Sequence, residues 1–555
     1  MGDYDPRVAS GRYDLPVYPF RPPPELQGLG TRRYPVVIVG AGLSGLTLAC
    51  DLALRGVQCV LLDEDDTVGV RGASSRGICY AQKSLEIFAR LGTFERIAGK
   101  GITWSVGRTL AGDDEVYSFN LQLESHSVQP PFINLQQFYV EWFLVDRLAT
   151  LSACDLRWKS RVVGSVDDGG KVTVTVETPA GEYAIEADWL VDATGVNSPI
   201  REGLGLEKHP SRSADRWCIT DVRFRERFPV ERWTWVEAPF NEGRAVWQHL
   251  MGDDVWRLDY QMAPDSDPDE VSRPEVAAER LRAHLGAACE FELVWVGPYQ
   301  YRDHLLEQFR HGRVLFMGDA AHVVSPFGAR GGNTGIQDAN NLGWKLAMVI
   351  AGEAGEGLID TYHGERHHAA AENLQVTSRT ARFLAPRSPA EQTLRRAAIG
   401  LAREFAFARP LVNTGRMSVA NTYLPSPAIA NGGHTVQNVA LRRADGGMVT
   451  VVDLAREAGT RFLVFVFGTP AAAAALAAAM PGRPVALHAV GTGGLADSAG
   501  RLAAALGARP GSVALVRPDL YVAGVFHDAA PAKVAAALER ALCRTVLPAI
   551  DGVAP

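Results

Sequence analysis

The sequence predicts an α/β chain: a β-α-β sheet of nucleotide-binding type, a sheet-rich insertion, and a second, smaller α/β unit. Three observations predict it. The apolar run Val36–Val39 leads through a glycine loop into an apolar-periodic helix and a second apolar strand, Cys59–Leu62, the mark of strands buried on both faces. Residues 207–305 change character, with alternating strands and a concentration of tryptophan at Trp233, Trp235, Trp247 and Trp256. After the Pro- and Gly-rich stretch 425–435, strands and helices alternate again to the end.

Taken in order, residues 1–34 carry Pro16, Pro19 and Pro22 to Pro24, which oppose regular structure and predict an extended arm. The first part of the nucleotide-binding domain is 35–206. Within it Gly56 stands at a helix C-cap, Ala81–Leu91 and Gln136–Leu151 have helical spacing, Val172–Glu177 alternates as a strand, and Trp189–Ala193 is a buried strand. The insertion, 207–305, reads as antiparallel strands Trp217–Arg225, Glu231–Glu237, Arg244–Met251 and Val255–Met262. Residues 306–424 return to the first domain: strand Val314–Met317, a glycine-rich loop, then helices. A linker, 425–435, precedes a last α/β unit, 436–555, with strands at Leu463–Phe467, Val485–Val490, Val513–Val516 and Leu520–Val525.

Composition narrows the function classes. Of 555 residues, 47% are hydrophobic and 21% charged, as in soluble globular proteins. A net charge of -7 without a Lys/Arg run argues against nucleic acid or an anionic membrane as partner. Seven cysteines, widely spaced and without C-x-x-C, argue against a disulfide framework, a zinc site and a dithiol redox centre, and fit a reducing cytoplasm. No signal peptide, membrane span or metal-ligand cluster is expected. Glycine is abundant, at 55 residues.

Two glycine loops carry the chemistry. Gly40, Gly42 and Gly45 form G-x-G-x-x-G between buried strand and helix, with Leu43 and Ser44 opening the helix. This context defines a Rossmann-like dinucleotide site: Gly40 permits the turn, Gly42 lets backbone approach a pyrophosphate, and Gly45 lets helix and strand pack closely. The helix N-terminus offers free amides and a positive dipole to phosphate. Asp63, ending the next strand, is placed to accept from a ribose hydroxyl, with Glu64 as the alternative. The second loop runs Gly318-Asp319-Ala320-Ala321-His322 through Pro326, Gly328, Gly331, Gly332, Asn333 and Gly335 to Asp338 and Lys345. Asp319 can accept from a ribityl or ribose hydroxyl. The amides of Gly332 and Asn333, at a helix start, can face developing negative charge. His322 is expected to pack or hydrogen-bond rather than catalyse.

This run, G-D-A-A-H…P-x-G-x-x-G-x-N-x-G-x-x-D-x-x-N-L-x-W-K-L, resembles that of the group A FAD-dependent aromatic hydroxylases, the para-hydroxybenzoate hydroxylase fold to which phenol hydroxylase and 3-(3-hydroxyphenyl)propionate hydroxylase belong. The resemblance covers residues 35–420. It implies that Asp319 lies near the ribityl and pyrophosphate, that Pro326 lies beside flavin and substrate, and that the amides near Gly331, Gly332 and Asn333 meet the flavin edge. Arg76, in Ser75-Arg76-Gly77-Ile78, matches a flavin-contacting Arg. Gln137, in Gln137-Phe138-Tyr139-Val140-Glu141, matches a ribityl-contacting Gln, and Val162 a backbone contact to adenine. One departure stands out: Thr194 occupies the position of the family's D-G motif Asp, with Asp192 two residues earlier. Trp233-Thr234-Trp235 matches only half of a flavin halogenase signature. In the last unit, Arg517-Pro518-Asp519-Leu520-Tyr521-Val522 resembles a segment of the thioredoxin-like domain appended to phenol hydroxylase relatives, here without C-x-x-C.

The resemblance implies an FAD-dependent monooxygenase that uses NADH or NADPH and O2 to hydroxylate a small phenolic or related aromatic substrate through a C4a-hydroperoxyflavin. Pro326, Gly332 and Asn333 position the flavin edge, and no acid or base is assigned. A homodimer is a possibility it leaves open. Other flavin reactions on this fold (epoxidation, N-hydroxylation, Baeyer–Villiger oxidation, dehydrogenation) and a non-catalytic flavin-binding protein are the alternatives, since a fold does not fix its chemistry.

Overall fold

A computed structural model describes residues 13–28, 30–69, 77–206, 211–412, 417–528 and 530–544. An eight-stranded sheet carries the glycine loops. Strand Arg33–Val39 lies at its centre, parallel to Gly181–Asp192 on one side and Cys59–Leu62 on the other. Cys154–Arg157 and Val314–Phe316 extend it outward, also in parallel. Strands Arg161–Asp167 and Val172–Thr178 form an antiparallel ribbon that runs into Gly181–Asp192. That strand is longer than the expected Trp189–Ala193. Its first part lies in the ribbon and alternates in burial; only its last four residues are continuously buried, and only those carry the parallel-sheet signal.

Helix Leu43–Leu54 crosses helix Gly331–Ile350 at close range. A Cβ at Gly335 would lie 2.2 Å from Ser44 Oγ, and one at Gly343 would lie 2.3 Å from Asp51 Oδ2. These glycines therefore serve helix contact. The arm is no loose tail where described: Tyr13 is buried, Tyr18 stacks on Trp158 with ring centroids 4.7 Å apart, and Glu25 pairs with buried Arg157 at 3.0 Å. Pro24–Gln27 forms a short 3-10 turn begun by a proline.

The second sheet also has eight strands. Its order is His322–Val323, Phe291–Leu305, Ser211–Phe224, Trp256–Gln261, Arg244–Leu250, Arg232–Ala238, Val106–Ala111, Asp114–Asn120. The last two come from a stretch that composition alone places in the first domain. Val106–Ala111 pairs in parallel with Arg232–Ala238, and His322–Val323 pairs with the end of Phe291–Leu305, so this sheet is assembled from three separated segments. Cross-strand partners point to the same side, which gives this sheet two unlike faces. One carries Cys218, Trp235, Val246, Trp256, Leu258 and Tyr260 and is covered by helix Pro274–Leu285 through Leu281. The other carries Trp217, Asp221, Arg232, Trp247, His249, Arg257 and Asp259 and turns toward the glycine loops.

The last unit has a four-stranded sheet in the order Val485–Val490, Phe462–Phe467, Val513–Val516, Val522–Phe526, whose first pair is parallel and the others antiparallel, and a hairpin of Ala440–Arg442 and Met448–Thr450. It docks on the first domain through one apolar cluster joining Trp344, Met348 and Leu358 to Phe462, Val464, Leu515 and Leu538. Beside it lies a buried ionic knot. Glu365 accepts from Lys345 Nζ (2.8 Å), Asn341 Nδ2 (2.7 Å) and Arg517 (2.7 and 2.9 Å), and Arg517 also holds Asp519 at 2.5 Å.

Candidate active site

The site forms where the parallel strands end, the position at which open α/β sheets bind ligands. At the first loop a Cβ on Gly40 would meet Ala193 O at 2.5 Å, and one on Gly45 would meet Gly40 O at 1.9 Å. Both positions admit only glycine. At Gly42 the nearest atom to such a Cβ is Glu141 Oε1, 4.0 Å away, so the loop opens onto free space there. Leu46 makes the first intrahelical bond, to Gly42 O at 2.9 Å. The amides of Leu43, Ser44 and Gly45 precede it and are the ones a helix start leaves for an anion. The side chains of Leu43 and Ser44 point instead at the second glycine loop and its helix.

Asp63 is held within the glycine loop itself. It is buried, and its carboxylate accepts from Ala41 N (2.5 Å) and Asp65 N (2.9 Å). Burial raises its pKa to about 6, against the lowering effect of those amide bonds. It closes the glycine loop onto the second strand, while Glu64 beside it is exposed. Val162 is a buried strand residue paired with Val176. Arg76 lies outside the described residues. Gln137 is half-buried, accepts from Gly77 N at 3.2 Å, and donates to Glu141 at 2.7 Å. Glu141 is itself buried, accepts from Gly69 N at 2.9 Å, and lines the opening at Gly42. The Q-x-x-x-E spacing puts both groups one helical turn apart, a signal that the sequence reading used only for Gln137.

In the second loop Asp319 is exposed. Thr334 makes the first intrahelical bond, to Arg330 O at 2.8 Å, which leaves the amides of Gly331, Gly332 and Asn333 ahead of it. The Asn333 side chain is fully used. It accepts from Ala81 N (2.9 Å) and Ser84 Oγ (2.6 Å) and donates to Cys79 O (2.8 Å) and Ala329 O (2.6 Å). It thereby bolts this loop to the strand Cys79–Ala81. Pro326 is half-buried, and Phe327 after it meets Trp247 edge-on at 5.1 Å.

Behind the loop stands a group that residue spacing did not reveal. Asp338 accepts from His322 Nε2 (2.6 Å), Gly318 N (3.0 Å) and Arg366 Nε (2.6 Å), and all three side chains are fully buried. Burial works against the Asp338 carboxylate, yet His322 and Arg366 together hold its pKa down at about 2. His322 is thus a structural partner of the loop. Thr194, in place of the D-G aspartate, donates through N (3.0 Å) and Oγ1 (2.6 Å) to buried Asp192, which also accepts from Ser198 Oγ. Asp192 caps its own turn.

Across from these loops lies the polar face of the second sheet. Arg232, His249, Arg257 and Asp221 stand side by side on four neighbouring strands, all buried. His249 Nδ1 lies 4.0 Å from Cys79 Sγ, on the strand that Asn333 anchors. Trp247, one row along, touches Phe327. The loop amides, Pro326 and this face therefore enclose one region.

An open backbone cradle at a helix start, a second set of free amides and an exposed carboxylate at Asp319 fit a flavin dinucleotide. These features define a flavin-binding α/β protein. The comparisons make the class specific. Residues 33–377 match the family described as FAD binding domain. The chain is 30% identical, over 572 aligned positions, to 4-methyl-5-nitrocatechol 5-monooxygenase of a Burkholderia species, covering 95% of this chain and 100% of that one. It is 29% identical over 528 positions to 6-methylpretetramide 4-monooxygenase of Streptomyces rimosus, covering 90% and 91%. A structure of aklavinone-11 hydroxylase with FAD and aklavinone is similar at TM-score 0.73 and 25% identity, over 92% of this chain and 99% of that one. The chain belongs to the FAD-binding family of flavin-dependent aromatic monooxygenases.

Proposed function

We propose that the protein hydroxylates a phenolic ring, with NADH or NADPH as reductant and O2 as oxidant. The observation that carries this reading is the enclosure of one region by the flavin loop amides on one side and a buried polar sheet face on the other. Bound FAD supplies the redox chemistry, accepting a hydride and activating O2. The chain supplies the rest. The amides of Leu43 to Gly45 hold the pyrophosphate, and Asp319, Gln137 and Glu141 hold the hydroxyl-bearing linker. The amides of Gly331, Gly332 and Asn333 favour negative charge at the flavin edge. Pro326 and Phe327 form a wall of the substrate site, and the sheet face orients the ring and excludes water.

We read the last unit, 436–555, as thioredoxin-like; its four-stranded sheet and the resemblance at Arg517–Val522 support this, and its Phe467-to-Pro470 turn carries no cysteine. We take its role to be structural. Among the described residues no helix is long and apolar enough to cross a membrane; we take the location to be the cytoplasm from the seven widely spaced free cysteines, which suit a reducing compartment. Stopped-flow absorbance tests the reading. Flavin bleaching by NADH or NADPH should accelerate when a phenol is present, and the product should gain one oxygen. Failure of both nucleotides to bleach the flavin with every phenol tried would overturn it.

A further inference from the structure

The turn Arg517–Tyr521 joins two strands of the last unit, Val513–Val516 and Val522–Phe526. Turns lie at the surface as a rule, because a buried one must satisfy its polar backbone from within. This one is buried at every residue. Leu520 holds a left-handed φ of 64°, a conformation that a non-glycine residue keeps only where its surroundings fix it. Arg517 N donates to Tyr521 O at 2.8 Å and Leu520 N to Arg517 O at 2.9 Å, which closes the turn. Three groups then project from it onto the first domain.

The Arg517 guanidinium pairs with Glu365, which also holds Asn341 and Lys345 on helix Gly331–Ile350. The Asp519 carbonyl accepts from Asn340 Nδ2 on the same helix and from Lys83 Nζ, both at 3.2 Å. Lys83 precedes Ser84, whose hydroxyl donates to Asn333. The Tyr521 ring stacks on Tyr423, with centroids 4.1 Å and planes 14° apart. The Tyr423 hydroxyl accepts from Arg366 Nη1 at 3.0 Å, and Arg366 donates onward to Asp338 and, through Nη2, to Thr334 O at 3.1 Å. Helix Gly331–Ile350 is thus gripped from Thr334, in its first turn, to Lys345. A helix is a stiff rod, so contacts at several levels fix both its advance and its rotation. The pull of its N-terminal amides on negative charge is confined to the first turn, so their position has to be set closely. We infer that the turn 517–521 is a positioning element for the flavin: through Tyr423 and Arg366 it fixes the amides of Gly331, Gly332 and Asn333 against the flavin edge. The inference rests on the proposed placement of that edge and not on hydroxylation of any substrate. It gives the cysteine-free last unit a part in setting the flavin's reduction potential.

The test uses the full chain and two readouts. In the unaltered protein, FAD should slow deuterium exchange of backbone amides in the segment 331–340 and, by linkage, in 515–523. Protection of the first segment without the second would overturn the inference; protection of neither would overturn the placement of the flavin edge as well. No variant has to fold for this comparison. The second readout is the midpoint potential of the bound flavin. Y423F removes the hydroxyl that holds Arg366 and keeps the stacked ring, whereas Y521L removes the stack. Each should cost about tenfold in the preference for reduced over oxidised flavin, a fall of about 30 mV for a two-electron couple. Both act through Arg366, so the double variant should fall no further than the larger single one. L502A cuts into the last unit's own core and removes none of these bonds. It should lower unfolding stability and leave the flavin preference within about twofold. An unchanged potential in Y423F and Y521L, additive falls in the double variant, or an equal fall in L502A would each overturn the inference.

Discussion

Gly42 is the position where a single side chain decides cofactor retention. Its Cβ direction is empty to 4.0 Å, so G42V folds without a protein clash and fills the cradle instead. The variant should purify with native helicity and little FAD; normal flavin content by absorbance would refute the cradle. Asp63 makes a different prediction. Its folded pKa of about 6 lies above the ordinary 3.8. It therefore favours the folded state below about pH 4, and that contribution is lost as pH rises through 6. Denaturation of the apoprotein should show the stability of the parent relative to D63N falling by about 2–3 kcal/mol between pH 4 and 7. A difference independent of pH would show that Asp63 is not held as described. Residue by residue, what the sequence disclosed was glycine. Gly40, Gly42 and Gly45 are legible because backbone geometry dictates them one at a time. What Glu141 and Asp338 hold was not, because a charge acquires meaning only from what the fold packs against it. His322 and Arg366 meet at Asp338 from 16 and 28 residues away, a separation no local pattern records.

At the scale of elements, the joint between the first domain and the last unit is the part most exposed to single changes. Arg517 satisfies Glu365 and Asp519 together, all three buried. Removing one partner of such a group leaves an uncompensated charge and costs roughly 3–5 kcal/mol. R517M should lower unfolding stability by that order in denaturant titrations; a loss below about 1 kcal/mol would show that water replaces the guanidinium. The parallel strands were legible as apolar runs because both of their faces are covered. The pair Val106–Ala111 and Asp114–Asn120 was not assigned to the second sheet, because its partner strand lies more than a hundred residues away and strand pairing at that distance leaves no local trace. The alternation of the first strand was there to read, but not the sheet it would join.

For the whole molecule, the boundaries drawn from composition do not mark independent bodies. The second sheet takes strands from both sides of the first domain, and Trp344, Met348 and Leu358 are buried in one apolar cluster with the last unit. Calorimetry of the full chain should give one unfolding transition, with bound FAD raising the midpoint for all of it. A separate, FAD-insensitive transition for the last unit would refute the joint. The arm belongs to the same body: Trp158 and Arg157 are covered by Tyr18 and Glu25.

The two unlike faces of the second sheet divide its residues between separate duties. On the strands Ser211–Phe224, Arg232–Ala238, Arg244–Leu250 and Trp256–Gln261, alternate side chains lie on the side that helix Pro274–Leu285 covers, while those between turn to the side of the glycine loops. Under the proposed function, exchanging Arg232, Thr234, Trp247 or His249 should alter which molecule is accepted, whereas exchanging Trp235, Val246 or Leu258 should alter whether there is a sheet at all. Evolution, or a library limited to alternate codons of these strands, can search new aromatic substrates without spending the stability on which the search depends.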